Sequence, residues 1–219
     1  MGVCIYSGAA LFNLRERLFN SILERSLSRK GHRIILPQRE GFDYVSLENS
    51  LKQDLSTSEI SKAIYDIIYC LDMDLLIPSC DILLANLDEP LDIGVDSEIS
   101  RANELNKYAI GFRTDIRTPY GSINNKYAGM QPFPVKKCST MIIRHTKAIT
   151  YDSLIKEVDG LAIEIDSLIK KASIVPKDDK LISLGNAKSL FDGMRLEDIN
   201  TSYGLSAIAQ RYLKHKDEF

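Results

Sequence analysis

Short β-prone apolar runs alternate with segments of helical periodicity, and this alternation constrains the fold more than any other feature of the sequence. The apolar runs are residues 3–6, 33–36, 82–85, 108–112 and 140–143. Between or after them, apolar residues recur every three or four positions in residues 10–29, 57–75, 94–107 and 151–171, which is typical of amphipathic helices. Strands that alternate with helices form right-handed β-α-β units and a parallel sheet covered on both faces.

The end of the chain departs from this alternation. After the helix at 151–171 comes a polar break at 176–180, and only one further helix is predicted, at 203–214. We therefore expect an α/β domain over residues 1–172 and a helical appendage over residues 173–219. Residues 38–55 are polar, and we expect them to form a long irregular loop, which in a compact domain points to function.

Composition and charge exclude several classes of protein. The 219 residues include 28 Lys and Arg against 30 Asp and Glu, and this balance argues against a nucleic-acid-binding protein, which needs a basic surface. No apolar run reaches the roughly 18–20 residues of a membrane-spanning helix, and no signal peptide is evident. We expect a cytoplasmic protein that binds neither nucleic acid nor membrane.

Cysteine and histidine spacing argues against a metal site. The four cysteines contain no C-x-x-C pair, and the three histidines are far apart. Reduced, buried cysteines are expected in a chain without an export signal. Any chemistry is therefore assigned to carboxylates, with no metal and no cofactor.

Two segments follow predicted strands, where ligands lie in open parallel sheets. Gly8-Ala9-Ala10 has one glycine where a dinucleotide-binding protein carries G-x-G-x-x-G, so it is either an ordinary tight turn or a site without that fingerprint. The acidic segment 88–98 contains Asp88, Asp92 and Glu98. It is either a solvated loop that leads into a helix N-terminus or part of a site. A carboxylate at Glu98, oriented by the phenol of Tyr6, would suit nucleophilic attack on an anomeric carbon.

Several segments together resemble the nucleoside 2-deoxyribosyltransferase family. The resemblance rests on residues 6–12, 36–38, 92–98, 108–111 and 113–117, and it covers roughly residues 3–145. It departs at Ser100, where the family usually has glycine, and beyond about residue 172. The fold it implies is a flavodoxin-like, doubly wound, five-stranded parallel sheet, here with a C-terminal helical extension.

The resemblance implies a catalytic role for four residues. Glu98 corresponds to the nucleophile that attacks C1′ of a 2′-deoxynucleoside, displaces the base and holds the sugar as a covalent ester. Tyr6 orients Glu98, and either Asp72 or Asp74 handles the base and its proton. A second base then takes the sugar, so that two inversions give net retention.

It also implies a substrate pocket and shared sites. Asp92 binds the 3′-OH, Phe12 and Gln38 contact the base, and Gly8 and Asp88 complete the pocket. Asn124 or Asn125 either contacts the 5′-OH of a substrate in a neighbouring subunit or is an ordinary loop residue. The expected partners are a deoxynucleoside, a free nucleobase and other copies of the chain, in a homo-oligomer with sites near subunit interfaces.

Three alternatives remain open. The same intermediate could pass to water, which would make the chain an N-glycoside hydrolase of deoxynucleosides or of their 5′-monophosphates. The first turn has no side-chain donor before Asn13, and the acidic segment opposes a dianion, so the nucleoside is favoured over the monophosphate. A non-catalytic nucleoside-binding protein is the third alternative, although pure binding needs no nucleophile.

Overall fold

The computed structural model describes residues 2–41, 43–52, 54–124, 126–172, 174, 176 and 181–219. The chain divides into two compact units. The first consists of Met1–Leu36 and Cys80–Asp178, and the second of Pro37–Ser79 and Asp179–Phe219. The sequence analysis places the domain boundary after residue 172, whereas these units separate after residue 178, and the second also takes in an internal segment.

The first unit contains a five-stranded sheet in which all neighbouring strands are parallel. Its strands are β1 (Cys4–Gly8), β2 (Arg33–Ile35), β3 (Ile82–Asn86), β4 (Tyr108–Arg113) and β5 (Thr140–Ile143), in the order β2-β1-β3-β4-β5. This is the strand order of a flavodoxin-like, doubly wound fold, so the predicted fold class is confirmed.

The helices follow in chain order. They are α1 (Leu14–Ser28), α2 (Pro37–Glu40), α3 (Tyr44–Leu51), α4 (Thr57–Tyr69), α5 (Ile77–Ser79), α6 (Ile93–Glu104), α7 (Pro132–Lys137), α8 (Tyr151–Lys171), α9 (Ala187–Phe191), α10 (Leu196–Ile199) and α11 (Ser202–His215). A π-helical segment (Cys70–Leu76) joins α4 to α5, and a 3-10 turn (Lys216–Glu218) follows α11.

The two faces of the sheet carry different residues of each strand, because successive side chains of a strand point to opposite faces. Ile5 of β1 and Leu84 of β3 belong to a buried apolar cluster with Leu27 of α1 and Ile165 of α8. Tyr6 of β1 therefore lies on the opposite face. Helix α6 covers that face, since it contacts β1, β3 and β4.

The expectation of an irregular loop at 38–55 was wrong, because helix α2 extends into this segment and helix α3 lies within it. Asp43 caps α3, and its carboxylate accepts a hydrogen bond from the N–H of Val45 at 3.1 Å. Leu47 and Leu51 are fully buried. A helix of eight residues is marginal by itself, so burial of these two leucines supplies its stability.

The second unit gathers segments that are distant in sequence. Helix α11 packs against α3 and α9, and the hydroxyl of Tyr212 donates a hydrogen bond to Asp66 at 2.7 Å. The predicted helix at 203–214 is thus present, as α11, one residue longer at each end. Among the described residues, no helix is both long and apolar enough to cross a membrane.

Candidate active site

Tyr6 and Glu98 form a hydrogen-bonded pair in the first unit. The hydroxyl of Tyr6 donates to Oε1 of Glu98 at 2.7 Å, across 92 positions of sequence. Tyr6 is fully buried, and Glu98 is partly buried. A phenol held by the sheet therefore orients one carboxylate oxygen, and the role of Glu98 as a nucleophile stays a prediction.

The helical periodicity of α6 explains why Glu98 faces the sheet. The buried residues of this helix are Val95, Ile99 and Ala102, spaced four and three positions apart. Glu98 follows Val95 by three positions, and residues three or four apart share a helix face. Glu98 is thus a polar residue on the buried face of α6.

Gly8 makes room for this carboxylate at the last position of β1. A Cβ atom built on Gly8 would lie 2.3 Å from Oε2 of Glu98, closer than non-bonded atoms can approach. Tyr6 and Gly8 are two positions apart in β1, so they share the face toward α6. One strand therefore supplies both the donor to Glu98 and the space that Glu98 occupies.

Asp92 has a structural role that accounts for its position. It is the N-cap of α6, and its Oδ1 accepts a hydrogen bond from the N–H of Val95 at 3.1 Å. It also lines a cavity of about 380 Å³, together with Ala10 after β1 and Asn86 at the end of β3. The predicted substrate contact of Asp92 thus has an open space beside it, at the carboxyl edge of the sheet.

Two arginines that the sequence analysis missed line the same cavity. They are Arg15, in the first turn of α1, and Arg117, after β4. The side chain of Arg117 also pairs with Asp115 at 2.8 Å. The rule that ligands lie beyond the carboxyl ends of parallel strands would have found Arg117, which follows the end of β4 by four positions.

Asp88 joins two loops at this edge of the sheet. Its carboxylate accepts hydrogen bonds from the N–H of Thr114 at 2.6 Å, the hydroxyl of Thr114 at 2.7 Å and the N–H of Asp115 at 2.9 Å. The carboxylate of Asp115 in turn accepts from the N–H of Glu89 at 2.7 Å. These bonds connect the loop after β3 to the loop after β4, so Asp88 shapes the cavity wall.

A buried arginine supports the same loops. Arg113 is fully buried at the end of β4, and its guanidinium donates to the backbone oxygens of Asp115 and Arg117. Its Nη1 has no hydrogen-bond partner among the described residues. The side chain holds the β4 loop in the conformation that the Asp88 contacts require.

Ser100, where the chain departs from the family pattern, has a partner of its own. Its hydroxyl donates to the backbone oxygen of Asp96 at 2.9 Å and accepts from Nζ of Lys137 at 2.7 Å. Lys137 also pairs with the carboxylate of Asp96 at 3.2 Å. The residue at position 100 therefore ties α6 to the end of α7.

Three predicted site residues, Gln38, Asp72 and Asp74, belong to the second unit. Gln38 lies partly buried in α2. Asp72 and Asp74 lie in the π-helical segment, where burial raises the pKa of Asp72 to about 7. A carboxyl group with that pKa exchanges its proton near neutral pH.

The remaining predicted residues are at the surface or outside the described part of the chain. The Phe12 side chain is 78% exposed, and its N–H donates to Glu16 at 2.8 Å. Asn124 is exposed, and Asn125 lies outside the described residues. Their roles toward base and 5′-OH remain predictions.

Metal-ligating side chains do not cluster in the part of the chain that the structure describes. No group of three or more His, Cys, Asp or Glu side chains there is placed to hold a metal ion. The described residues of the site offer carboxylates, one phenol and two guanidinium groups.

Comparison with known proteins identifies no family. No protein-family model matches the sequence, and no curated protein matches it. Among solved structures, the chain is similar to a 2-deoxyribosyltransferase from Bacillus psychrosaccharolyticus, with 18% identity, a TM-score of 0.40, and coverage of 69% of this chain and 90% of that one.

Two further solved structures are similar to this chain, also at low sequence identity and low TM-score. One is the CMP N-glycosidase BcmB of Clostridium botulinum, with 16% identity, a TM-score of 0.38, and coverage of 72% of this chain and 98% of that one. The other is a putative quinone reductase from Klebsiella pneumoniae, with 12% identity, a TM-score of 0.43, and coverage of 80% and 87%. Three named activities at such low identity and TM-score assign no activity to this chain.

Proposed function

We propose that this protein transfers a 2-deoxyribosyl group from one nucleobase to another through a covalent ester on Glu98. The observation that carries the proposal is the 2.7 Å hydrogen bond from the buried Tyr6 hydroxyl to Glu98. This bond fixes the direction of one carboxylate oxygen, as a positioned nucleophile requires. The resemblance of residues 3–145 to nucleoside 2-deoxyribosyltransferases supplies the substrate class.

In the first half-reaction, a Glu98 oxygen attacks C1′ as the bond from C1′ to the base nitrogen breaks. The departing base takes up a proton, and the sugar remains bound to Glu98 as an ester. In the second half-reaction, a nitrogen of another base attacks C1′ and the ester bond breaks, which restores the carboxylate. Two inversions at C1′ give net retention. The hydroxyl of Tyr6 fixes the direction of the attacking carboxylate.

The resemblance to the deoxyribosyltransferases leaves Asp72 and Asp74 as the two candidates for handling the proton of the base. A group that donates a proton to the leaving base and removes one from the incoming base works best with a pKa near the operating pH. The pKa of Asp72, raised by burial to about 7, meets this condition. Variants Asp72→Asn and Asp74→Asn separate the two candidates, since the asparagine at the functional position removes proton transfer.

The charge of the cavity beside Asp92 supports a nucleoside as substrate. The residues that line it include two arginines, Arg15 and Arg117, against four carboxylates. The four are Glu16, Asp88, Glu89 and Asp92. A 5′-phosphate would bring a dianion to a lining with an excess of acids, and an unpaired dianion is costly to desolvate. A homo-oligomer with sites near subunit interfaces stays part of the proposal.

Incubation with thymidine and adenine tests the transfer. Chromatography should show deoxyadenosine and thymine, and mass spectrometry with thymidine alone should show a deoxyribosyl adduct on Glu98. Release of free deoxyribose without formation of deoxyadenosine would mean that the protein is a hydrolase and not a transferase. Binding of thymidine with neither an adduct nor a product would mean that the protein is a non-catalytic nucleoside-binding protein.

Glu98→Gln tests the nucleophile. Turnover should fall by several orders of magnitude, because an amide oxygen does not form the ester and removal of a covalent nucleophile has effects of that size. Glu104→Gln is the matched control in the same helix, since its side chain is exposed and pairs only with Arg101 among the described residues. Turnover above a few per cent in Glu98→Gln contradicts the covalent role.

A further inference from the structure

Two cysteines meet at the amino edge of the sheet, the edge opposite the Tyr6–Glu98 pair. Cys4 is the first residue of β1, and Cys80 precedes β3 by two positions. Their sulfur atoms are 3.4 Å apart, although 76 positions separate them in sequence. Both are free thiols, and the sequence analysis assigns them no more than a buried apolar role.

We propose that Cys4 and Cys80 form a reversible disulfide when the protein meets a peroxide. A disulfide bond is about 2.05 Å long, so the sulfur atoms need to approach by about 1.3 Å from their contact distance. Both residues belong to the first unit, and the bond would join β1 to the segment that leads into its neighbour β3.

Hydrogen bonds to the backbone groups of Cys4 and Cys80 hold the two cysteines in position. The N–H of Cys4 donates to Oδ2 of Asp81 at 2.7 Å, and the N–H of Asp81 donates to the backbone oxygen of Cys4 at 2.8 Å. Nζ of Lys107 donates to the backbone oxygen of Cys80. Because neither backbone has to be ordered for the bond to form, the entropy cost of closing a long loop is already met in the folded chain.

The surroundings of Cys4 favour the thiolate, which is the nucleophilic form. The contact with Cys80 lowers the pKa of Cys4 to about 7, and the nearby charge of Arg33 acts in the same direction, while burial and Asp81 oppose it. Burial and the contact with Cys4 raise the pKa of Cys80, which Lys107 and Arg33 partly offset. Cys4 is 8% exposed and Cys80 is fully buried, so Cys4 is the sulfur that a small oxidant reaches first.

The chemistry balances in two steps. The Cys4 thiolate attacks one peroxide oxygen, the O–O bond breaks, and a sulfenic acid and hydroxide form. Cys80 then loses its proton, its sulfur attacks the Cys4 sulfur, and the S–O bond breaks with release of water. Two thiols are oxidised to one disulfide, and one peroxide is reduced to two waters.

The other two cysteines provide matched controls. Burial raises the pKa of Cys70 and of Cys138 to about 12 in each case, so both stay protonated near neutral pH. Neither has a second thiol in contact among the described residues. Cys70→Ser and Cys138→Ser should therefore leave the reaction unchanged.

The test is to treat the full chain with hydrogen peroxide, denature it without reductant and alkylate the remaining thiols. Mass spectrometry should show that two of the four cysteines lose alkylation together and recover it after dithiothreitol. Cys4→Ser and Cys80→Ser should each abolish this loss.

Peptide mapping keeps the test decisive where Cys4→Ser or Cys80→Ser fails to fold, because it needs neither variant. No Lys or Arg lies between Lys62 and Arg101, so Cys70 and Cys80 share a tryptic peptide, and the mapping uses Cys70→Ser. The expected result is a cross-link between the peptides that carry Cys4 and Cys80. Four alkylated thiols in the wild-type chain, a different pairing, or Cys4 oxidised while Cys80 stays alkylated would each overturn the proposal.

Discussion

Gly8→Ala should reduce catalysis strongly while the fold remains intact. The new Cβ would lie 2.3 Å from Oε2 of Glu98, where ordinary contacts begin at 3.4 Å. The carboxylate therefore has to retreat by about 1 Å, and a displacement of that size at a reacting group costs roughly 100-fold in rate, or about 2.7 kcal/mol of activation free energy. The atom that has to move is the end of a flexible side chain, so the strand itself stays in place.

Stability should change little in this variant. Gly8 is not among the glycines with positive φ, so alanine can adopt its backbone conformation. Replacement of glycine by alanine at such a position restricts the unfolded chain, and it changes the free energy of unfolding by no more than about 1 kcal/mol. A large loss of activity with a small change in stability would identify displacement of Glu98 as the cause.

The assay is steady-state base exchange between thymidine and adenine, followed by chromatography, together with urea unfolding of the same preparations. Ser7→Ala is the matched control, because Ser7 adjoins Gly8 in β1 but lies on the opposite face of the sheet. It should retain wild-type turnover. If Gly8→Ala keeps turnover within about threefold of wild type, the close packing of Gly8 and Glu98 does not position the nucleophile.

Three further predictions concern the positioning group, the substrate and pH. Tyr6→Phe should lower kcat by roughly 10–100-fold, because it removes a hydrogen bond to a charged group worth about 1.5–3 kcal/mol; an unchanged kcat would reduce Tyr6 to a core residue. Thymidine should be a better substrate than uridine or thymidine monophosphate when the three are assayed side by side, and faster cleavage of the monophosphate would favour the nucleotide hydrolase. His32 is buried and accepts from the N–H of Val3 at 3.3 Å, and burial holds its pKa below its ordinary 6.5 despite Asp166 at 3.2 Å. The contribution of neutral His32 to the free energy of unfolding is therefore complete above pH 6.5, and it is lost as the pH falls from there through the pKa of the folded state. Urea unfolding between about pH 7.5 and 5.5 should show this loss of stability, and the loss should be smaller in His32→Asn.

Much of the fold and part of the site follow from local pattern. The alternation of apolar runs with helical stripes specifies β-α-β units with parallel strands, and parallel strands place their carboxyl ends, which include Gly8 and Asn86, at one edge of the sheet. The spacing of Val95, Glu98 and Ile99 puts the carboxylate on the buried face of α6. These features depend on residues close together in sequence, whose periodicity is visible without tertiary contacts.

Other features depend on contacts between distant segments. Helix α3 was not predicted because its eight residues carry a weak local pattern, and burial of Leu47 and Leu51 is a tertiary effect. Residues 37–79 and 179–219 form one unit although 99 residues, 80–178, lie between them. No local signal pairs such segments, because a single sequence does not record which apolar faces meet.

The site shows the same division between residue type and spatial arrangement. Sequence alone selected Tyr6, Asp92 and Glu98, since acids and a phenol that follow or end predicted strands are recognisable as types. Tertiary structure decided their distances, because the pairing of Tyr6 with Leu83 and the packing of α6 on the sheet set the 2.7 Å contact. It also decided that Arg15 and Arg117 line the cavity and that Cys4 meets Cys80, because strand register and loop conformation place side chains to within an ångström and sequence spacing does not.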